Sequence, residues 1–577
     1  MNYYKENYLI FSVKRKFLYI IILFIALFLN ISSCKYPGSR ISQTSTNGEV
    51  LYNGIQLPEV WPPKHFHPES TAVMPVPYLE HPPKVIPIDV GRQLFVDDFL
   101  IQETDLKRTY YRAEKYSGNP VFKPETEEEL KKNSAVYLGH GGVFYDFSEQ
   151  LYKMYYSAGW RGGLAEATSR DMIHWTRPEI ISGKGNVLID RSVDDNSIWL
   201  DLATSKPDER LKFLECHRNK MTGIQEPGHY LYTSEDGKDW SDGFLAGKAS
   251  DYCSFFYNPF RKVWVFSIKR DHPIRGRCRY YFENVDFIKG TDWSNAVYWT
   301  NADNLDKPEP ADRYPGAGEE PQLYSLNAVA YESIMIGMHY ILRGPNNEIC
   351  NKGNFPKLTD LELGFSRDGF HWSRPDRQGF IVGSRTEGAW DRAYLHSTAG
   401  VFVIDQDKLI FPYTAFSGIA ADGSHGMYNG ASIGLAFLRR DGFASMDAGH
   451  EKGTLTTRLV KFTGEYIFVN VDCPQGELRI EVLDESDRVI DSFSANNCQP
   501  INQDKTLLEV KWNGAENLSS LKGKNVKFRF HLRNGKLYSF WLSSSKNGAS
   551  SGYLGAGGSG YNGLIDTNIK AAYKTKE

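Results

Sequence analysis

From Gln93 to about residue 445, polar and apolar positions alternate in short runs, with turn formers such as Asn258-Pro259 between them and few long amphipathic helices. A period of two in short segments predicts β-strands. Residues 93–102 form the first strong strand, with the adjacent carboxylates Asp97 and Asp98 at its centre. Five strand groups follow. Their leading strands fall at residues 141–147, 193–200, 251–256, 319–324 and 394–397.

A repeated unit closes each group. Residues 366–375 read Ser-Arg-Asp-Gly-Phe-His-Trp-Ser-Arg-Pro, and residues 169–178 read Ser-Arg-Asp-Met-Ile-His-Trp-Thr-Arg-Pro. Residues 234–241 read Ser-Glu-Asp-Gly-Lys-Asp-Trp-Ser, and weaker copies lie at 285–294 and 438–443. Trp175, Trp240, Trp293, Trp372 and Asp441 mark the copies, 53 to 79 residues apart. The chemistry of the unit is that of a tight turn: Asp caps its own backbone, Gly takes a positive φ, and Trp packs back against the sheets. Strand groups repeated in this way predict a β-propeller, and five markers predict five blades.

After Asp441 the strands at 459–471, 477–483, 506–512, 526–532 and 537–541 have the spacing of an antiparallel sandwich. The expected fold is therefore all-β, a five-bladed β-propeller followed by a C-terminal β-sandwich. The expected division is 1–34 signal peptide, 35–88 tether and extended segment, 89–444 propeller, and 445–577 sandwich with a flexible tail. The Gly- and Ser-rich stretch 550–563 is expected to be loose.

The N-terminus reads as an address. Lys14-Arg15-Lys16 precedes an apolar run at 17–29, too short for a confident membrane span and right for a signal core. It closes on Ile31-Ser32-Ser33-Cys34, which resembles a bacterial lipobox with Cys34 as the lipidated residue. This implies an exported protein anchored by lipid in the cell envelope of a Gram-negative bacterium, at the outer membrane or in the periplasm. A net charge of −3 without long basic runs argues against nucleic acid as a partner. Six further cysteines show no metal-ligand spacing; Cys473 and Cys498 are close enough in sequence to pair in an oxidising compartment.

In a propeller the inner strands converge on one axis, so their first polar residues share a central pocket. Those residues are His140; Asp194, Asp195 and Asn196; Asp251; Glu319 and Glu320; and Asp391, Arg392 and His396. Carboxylates from several blades around one opening suit glycoside hydrolysis, in which one acid protonates the leaving oxygen and another acts as nucleophile or as base for water. The expected acidic set is Asp194 or Asp195 with Asp251 and Glu320. Asp98, Asn196, Asp391 and His396 are expected to bind substrate, and Arg343 and Arg392 to hold a carboxylate or sulfate on it. The chemistry calls for no cofactor and no catalytic metal.

Five Ser-x-Asp-Gly-x-x-Trp-type ends followed by a sandwich resemble the five-bladed propeller glycoside hydrolases of families 32 and 43. The resemblance spans about residues 90 to 540 and implies a hydrolase of plant, algal or host polysaccharide. The long insertions at 301–318 and 344–356 favour exo-action by walling the pocket. The families imply an Asp on the first blade, an Asp on the second and a Glu acid on the third. Here Asp194 or Asp195 meets the second requirement, the third blade presents Asp251, and the first presents Gly139-His140-Gly141-Gly142. No Trp-Met-Asn-Asp-Pro-type motif, and no Arg-Asp-Pro or Glu-Cys signature in the expected place, is present, which marks a divergent member. A non-catalytic carbohydrate-binding surface lipoprotein is the alternative. A sialidase is disfavoured, because its Asp-box carries one more residue between Asp and Gly.

Overall fold

The computed structural model describes residues 48–567 apart from 65–66, 132, 140, 181–182, 184, 192–195 and 218–227. The leader and Cys34 therefore lie outside the described residues, as do His140, Asp194 and Asp195.

The described chain is built of antiparallel sheets. Five successive sheets are meanders in chain order. The first runs Val136–Tyr137 and Val143–Asp146, then Leu151–Ala158, Gly163–Ser169 and Trp175–Thr176. The second is Asn196–Leu200, Leu211–His217, Gly228–Ser234 and Phe244–Lys248. The third is Ser254–Asn258, Val263–His272, Gly276–Asn284 and Val297–Thr300. The fourth contains Gln322–Glu332, Ile334–Leu342 and Thr359–Ser366. The fifth contains Ala393–His396 and Val403–Asp405, then Lys408–Phe416 and Ala431–Arg439. Its outer strand, Glu114–Lys115, comes from before the first sheet, so early and late parts of the chain are tied together there.

Successive sheets touch one another in order. Asn196 donates to Ser157 Oγ at 3.2 Å, and Trp199 meets Trp264 edge-on at 6.1 Å. Ser254 Oγ donates to the Leu326 carbonyl at 2.8 Å, and Thr359 Oγ1 to that of Leu395 at 2.7 Å. Thr398 Oγ1 donates to the Gly141 carbonyl, which brings the contacts back to the first sheet.

The repeated unit is a turn, as its chemistry predicts, and it follows the third strand of each sheet. Ser366 Oγ accepts from Gly369 N, while Asp368 Oδ1 accepts from Phe370 N and His371 N at 2.9 and 2.8 Å. Ser169 with Asp171 makes the same pattern, as does Ser234 with Asp236. Gly237 and Gly369 have φ of 80° and 83°; Met172, in the glycine position of the first copy, has 67°.

Two further sheets face each other through Phe528, Phe530 and Phe540, whose rings are 5.1 to 5.7 Å apart. Their membership does not follow the linear order of the chain. Gln93–Leu94 pairs with Gly535–Ser543, Ile101–Thr104 with Gly453–Thr457, and Lys107–Tyr110 with Ala444–Ala448. The Gly- and Ser-rich stretch also departs from expectation. Tyr553–Leu554 adds to the edge of Gln322–Glu332, Ala556 bridges Tyr145 N and the Phe402 carbonyl, and Leu554, Ala556 and Tyr561 are buried. Small residues here allow close backbone approach: a Cβ on Gly558 would stand 2.2 Å from the Ile404 carbonyl. All six described cysteines are buried, and Cys473 and Cys498 do not pair; Cys473 Sγ donates to the Ile501 carbonyl instead.

Candidate functional site

The far ends of the leading strands carry the tail, and their starting ends carry a polar and aromatic cluster. Asp251 and Tyr252 immediately precede the leading strand of the third sheet, Tyr324 begins that of the fourth, and Tyr394 and His396 lie in that of the fifth. The Tyr252 hydroxyl lies 2.5 Å from His396 Nδ1, and the Tyr324 and Tyr394 hydroxyls are 2.7 Å apart. His396 is fully buried, with the rings of Tyr324 and Tyr340 parallel to it and Tyr394 edge-on at 4.4 Å. Arg279, itself buried, donates to the carbonyls of Tyr252 and Tyr324 and so joins the third and fourth sheets beneath the cluster.

Tyr252 and Tyr394 have φ of 68° and 52°. A bulky side chain in the left-handed region costs on the order of 1–3 kcal/mol and persists only where the surroundings impose it. Here the hydrogen bonds of both hydroxyls and the Arg279 clamp impose it. Two strained tyrosines in one cluster mark a place where side-chain position outweighs local stability.

Three cations stand round Tyr324. Lys269 Nζ is 5.4 Å from the ring centre, the Arg277 guanidinium 5.6 Å, and Lys357 Nζ 5.3 Å. Lys269 is ion-paired with Asp251. Arg277 donates to Gln322 Oε1 at 2.8 Å. Lys357 is 2% exposed, bonds Asn347 Oδ1 at 2.9 Å, and also lies 4.9 Å from the Tyr394 ring and 5.6 Å from that of Tyr428. Burial, reinforced by the charges of Arg277 and Lys269, lowers its pKa to about 7 against the opposing pull of Cys350 and Asp251.

Lys357 reaches the cluster just past the 344–356 insertion, in the segment that joins Ile334–Leu342 to Thr359–Ser366. Asn346 caps the short helix Asn347–Gly353 by accepting from Ile349 N, and Glu319 holds the Asn346 backbone and amide. Cys350, Phe355 and Leu358 anchor the insertion in a small apolar cluster with Tyr314, whose hydroxyl donates to the Pro356 carbonyl at 2.6 Å. At the rim, half-buried Trp160 stacks on Tyr428 at 4.0 Å and 14°. Such a flat pair suits the apolar face of a sugar ring.

At the same end of the second sheet, Glu215 lies opposite Asn196 in the strand register. Burial raises its carboxyl pKa, but Arg191 Nε at 2.8 Å and His217 Nε2 at 2.8 Å outweigh this and hold it below the usual range.

Of the residues expected from sequence, Asp251, Asn196 and His396 lie at this end of the sheets. The others are engaged elsewhere or stand apart. Asp98 is 72% exposed, ion-paired with Arg108, and lies beside the strands that join the C-terminal sheets. Arg343 is locked into a buried ion cluster, 3.2 Å from Asp360 and 2.5 Å from Glu362, with Arg374 and Asp306 beyond. Asp391 is paired with Lys115 at 2.5 Å. Arg392 lies over the Tyr314 ring and so braces the insertion from behind. Glu320 is exposed, while its neighbour Glu319 is the one that holds Asn346. Sequence reading missed Lys269, Arg277, Lys357 and Glu215. The first three belong to no motif, and Glu215 sits in a second strand, whereas the acids were sought at the heads of leading strands.

No family model matches this sequence, and no curated protein matches it. Solved structures are similar to it over a little more than half its length. One is an N-acetylgalactosamine deacetylase from F. plautii in complex with blood group B trisaccharide, 14% identical, covering 59% of this chain and 96% of its own, with a TM-score of 0.40. Another is the α-L-arabinofuranosidase PaAbf62A from Podospora anserina, 9% identical, covering 57% and 98%, with a TM-score of 0.37. A thermostable family-43 glycoside hydrolase is 10% identical, covering 55% and 95%, with a TM-score of 0.36. At these scores the chemistry has to be read from the residues of this chain.

Proposed function

We propose that the protein is a carbohydrate-active enzyme of glycoside hydrolase type that acts on a polysaccharide at the cluster around Asp251, Tyr324 and His396. The five consecutive sheets are read as the blades of a propeller and the two remaining sheets as a sandwich. One observation carries the proposal. A carboxylate, two strained tyrosines, a buried histidine and a stacked aromatic pair are gathered from separate sheets at the starting ends of the leading strands. That combination offers both a platform for a sugar ring and acid–base groups beside it.

Asp251, beside Lys269, and Glu215, beside Arg191 and His217, supply carboxylates suited to a nucleophile or a base. The proton donor is assigned to Asp194 or Asp195 on the sequence pattern alone. The insertion before Lys357 supports exo-action, because a segment of that length beside the site would close it to the middle of a chain. Lipid anchoring through Cys34 in the cell envelope completes the reading.

The ion pair of Asp251 with Lys269 supports a second reading, a non-catalytic carbohydrate-binding protein, because a neutralised carboxylate serves recognition as well as catalysis. Screening residues 36–577 against a broad set of polysaccharides, beside Asp251→Asn and Glu215→Gln, separates the two. Sugar release that falls by roughly 10²-fold or more in either variant supports the enzyme. Binding without release selects the second reading. Release undiminished in both variants would remove these acids from the chemistry.

A further inference from the structure

Among the described residues the charge at the cluster does not balance. Lys269, Arg277 and Lys357 all lie within 5.6 Å of the centre of the Tyr324 ring, and Asp251 is the carboxylate that pairs with one of them. Lys357 is almost wholly buried with a neutral amide oxygen as its hydrogen-bond partner among the described residues. Arg277 Nε is buried without any partner among them. A buried ammonium and an unsatisfied guanidinium N–H each cost free energy that a bound anion would recover. The phenol rings of Tyr324, Tyr394 and Tyr428 soften this cost through cation–π attraction, which is too weak to replace an anion. Arg277 supplies a planar fork for two oxygens, and the lysines supply point charges on either side.

Resting on the carbohydrate reading of this site, we propose that its substrate is an anionic glycan, with a sugar carboxylate or sulfate ester held by Lys269, Arg277 and Lys357 beside the Trp160–Tyr428 platform. Arg343, the cation expected from sequence to do this, is neutralised inside its own ion cluster. With a net charge of −3 the chain as a whole offers polyanions no general attraction, so preference for an acidic glycan must come from a local site.

Calorimetric titration of the mature chain tests this with two matched pairs: galacturonate oligosaccharides against their carboxyl-reduced forms, and sulfated galactan oligosaccharides against their desulfated forms. One acidic member should bind at least tenfold tighter than its neutral partner, and the pair showing the ratio identifies carboxylate or sulfate. Arg277→Gln and Lys357→Met should each lower the acid-over-neutral ratio about tenfold. Arg277 is only partly buried, so its variant keeps the test open if the buried lysine variant does not fold. Equal binding of acidic and neutral members, or a ratio unchanged in Arg277→Gln, overturns the anionic assignment while leaving a carbohydrate site standing. Failure of every oligosaccharide, neutral and acidic, to bind the folded wild-type chain overturns the carbohydrate reading and this inference with it.

Discussion

Lys357 is the residue on which solution behaviour should depend most sharply. Its pKa of about 7 lies below the ordinary lysine value near 10.4, first because of burial and then because of Arg277 and Lys269. Asp251 and the Cys350 thiol oppose the shift, and Tyr324, Tyr394 and Tyr428 face the ammonium as rings. The unfolded chain therefore holds a proton between about pH 7 and 10 that the folded chain has lost, so this group makes stability rise with pH across that window. Anion binding should move the other way. Between pH 6 and 8.5 the affinity for an acidic oligosaccharide should fall roughly tenfold, and Lys357→Met should flatten the profile; a profile of equal slope in the variant would place the titration elsewhere.

The turn unit shows at the scale of an element how one motif can carry unequal stability. Gly237 and Gly369 share the same φ, but the space around them differs. A Cβ on Gly369 would stand 2.3 Å from Asn258 Nδ2, whereas one on Gly237 would meet the flexible ends of Leu188 and Leu211 at 3.2 Å. Gly369→Ala should therefore cost about 2–4 kcal/mol, combining backbone strain with displacement of a buried amide. Gly237→Ala should cost about 1 kcal/mol, since Met172 already tolerates the position in the first copy. Urea denaturation of both variants checks the order, and equal losses would show that neighbours do not set the cost.

The whole molecule is laced together by segments that leave their place in the linear order. Glu332 is fully buried and accepts from Arg440 Nη2 at 2.8 Å, Arg92 N at 3.1 Å and Ser550 Oγ at 2.6 Å. Arg92 also pairs with Asp441, the last of the five markers, which Tyr331, Asn470 and Ser539 surround. Burial raises the Asp441 carboxyl pKa, but Arg92 and Arg440 overcome this and hold it at about 2. One network thus ties the fourth sheet, the tail and the C-terminal sheets together. Glu332→Gln should cost about 3–5 kcal/mol by leaving buried guanidinium groups under-compensated. Removing residues 550–577 should cost several kcal/mol, because about two large side chains lose their burial as well. The full chain from Glu49 onward should unfold in one transition by both fluorescence and circular dichroism; two separated transitions would show that the network does not couple the sheets.

The sequence by itself determined what short-range physics decides. Period-two runs made the chain all-β, and Ser, Asp and Gly at fixed offsets made the turn, because the Asp-to-backbone hydrogen bonds close within three residues. It also singled out Asp251 and His396, which the structure places at the starting ends of the leading strands, since that is a position that can be counted. Only the tertiary structure decided the rest. Residues 93–102 read as a strand but carry no mark of the partners they take some 350 to 450 residues away. The tail reads as loose by composition, yet its glycines allow the close packing that holds it. Arg343 and Lys357 are each a lone cation in sequence. Carboxylates from neighbouring segments neutralise the first, while two more cations and three phenol rings gather round the second. The meaning of a charge lies in what surrounds it, and those surroundings are assembled from the third, fourth and fifth sheets.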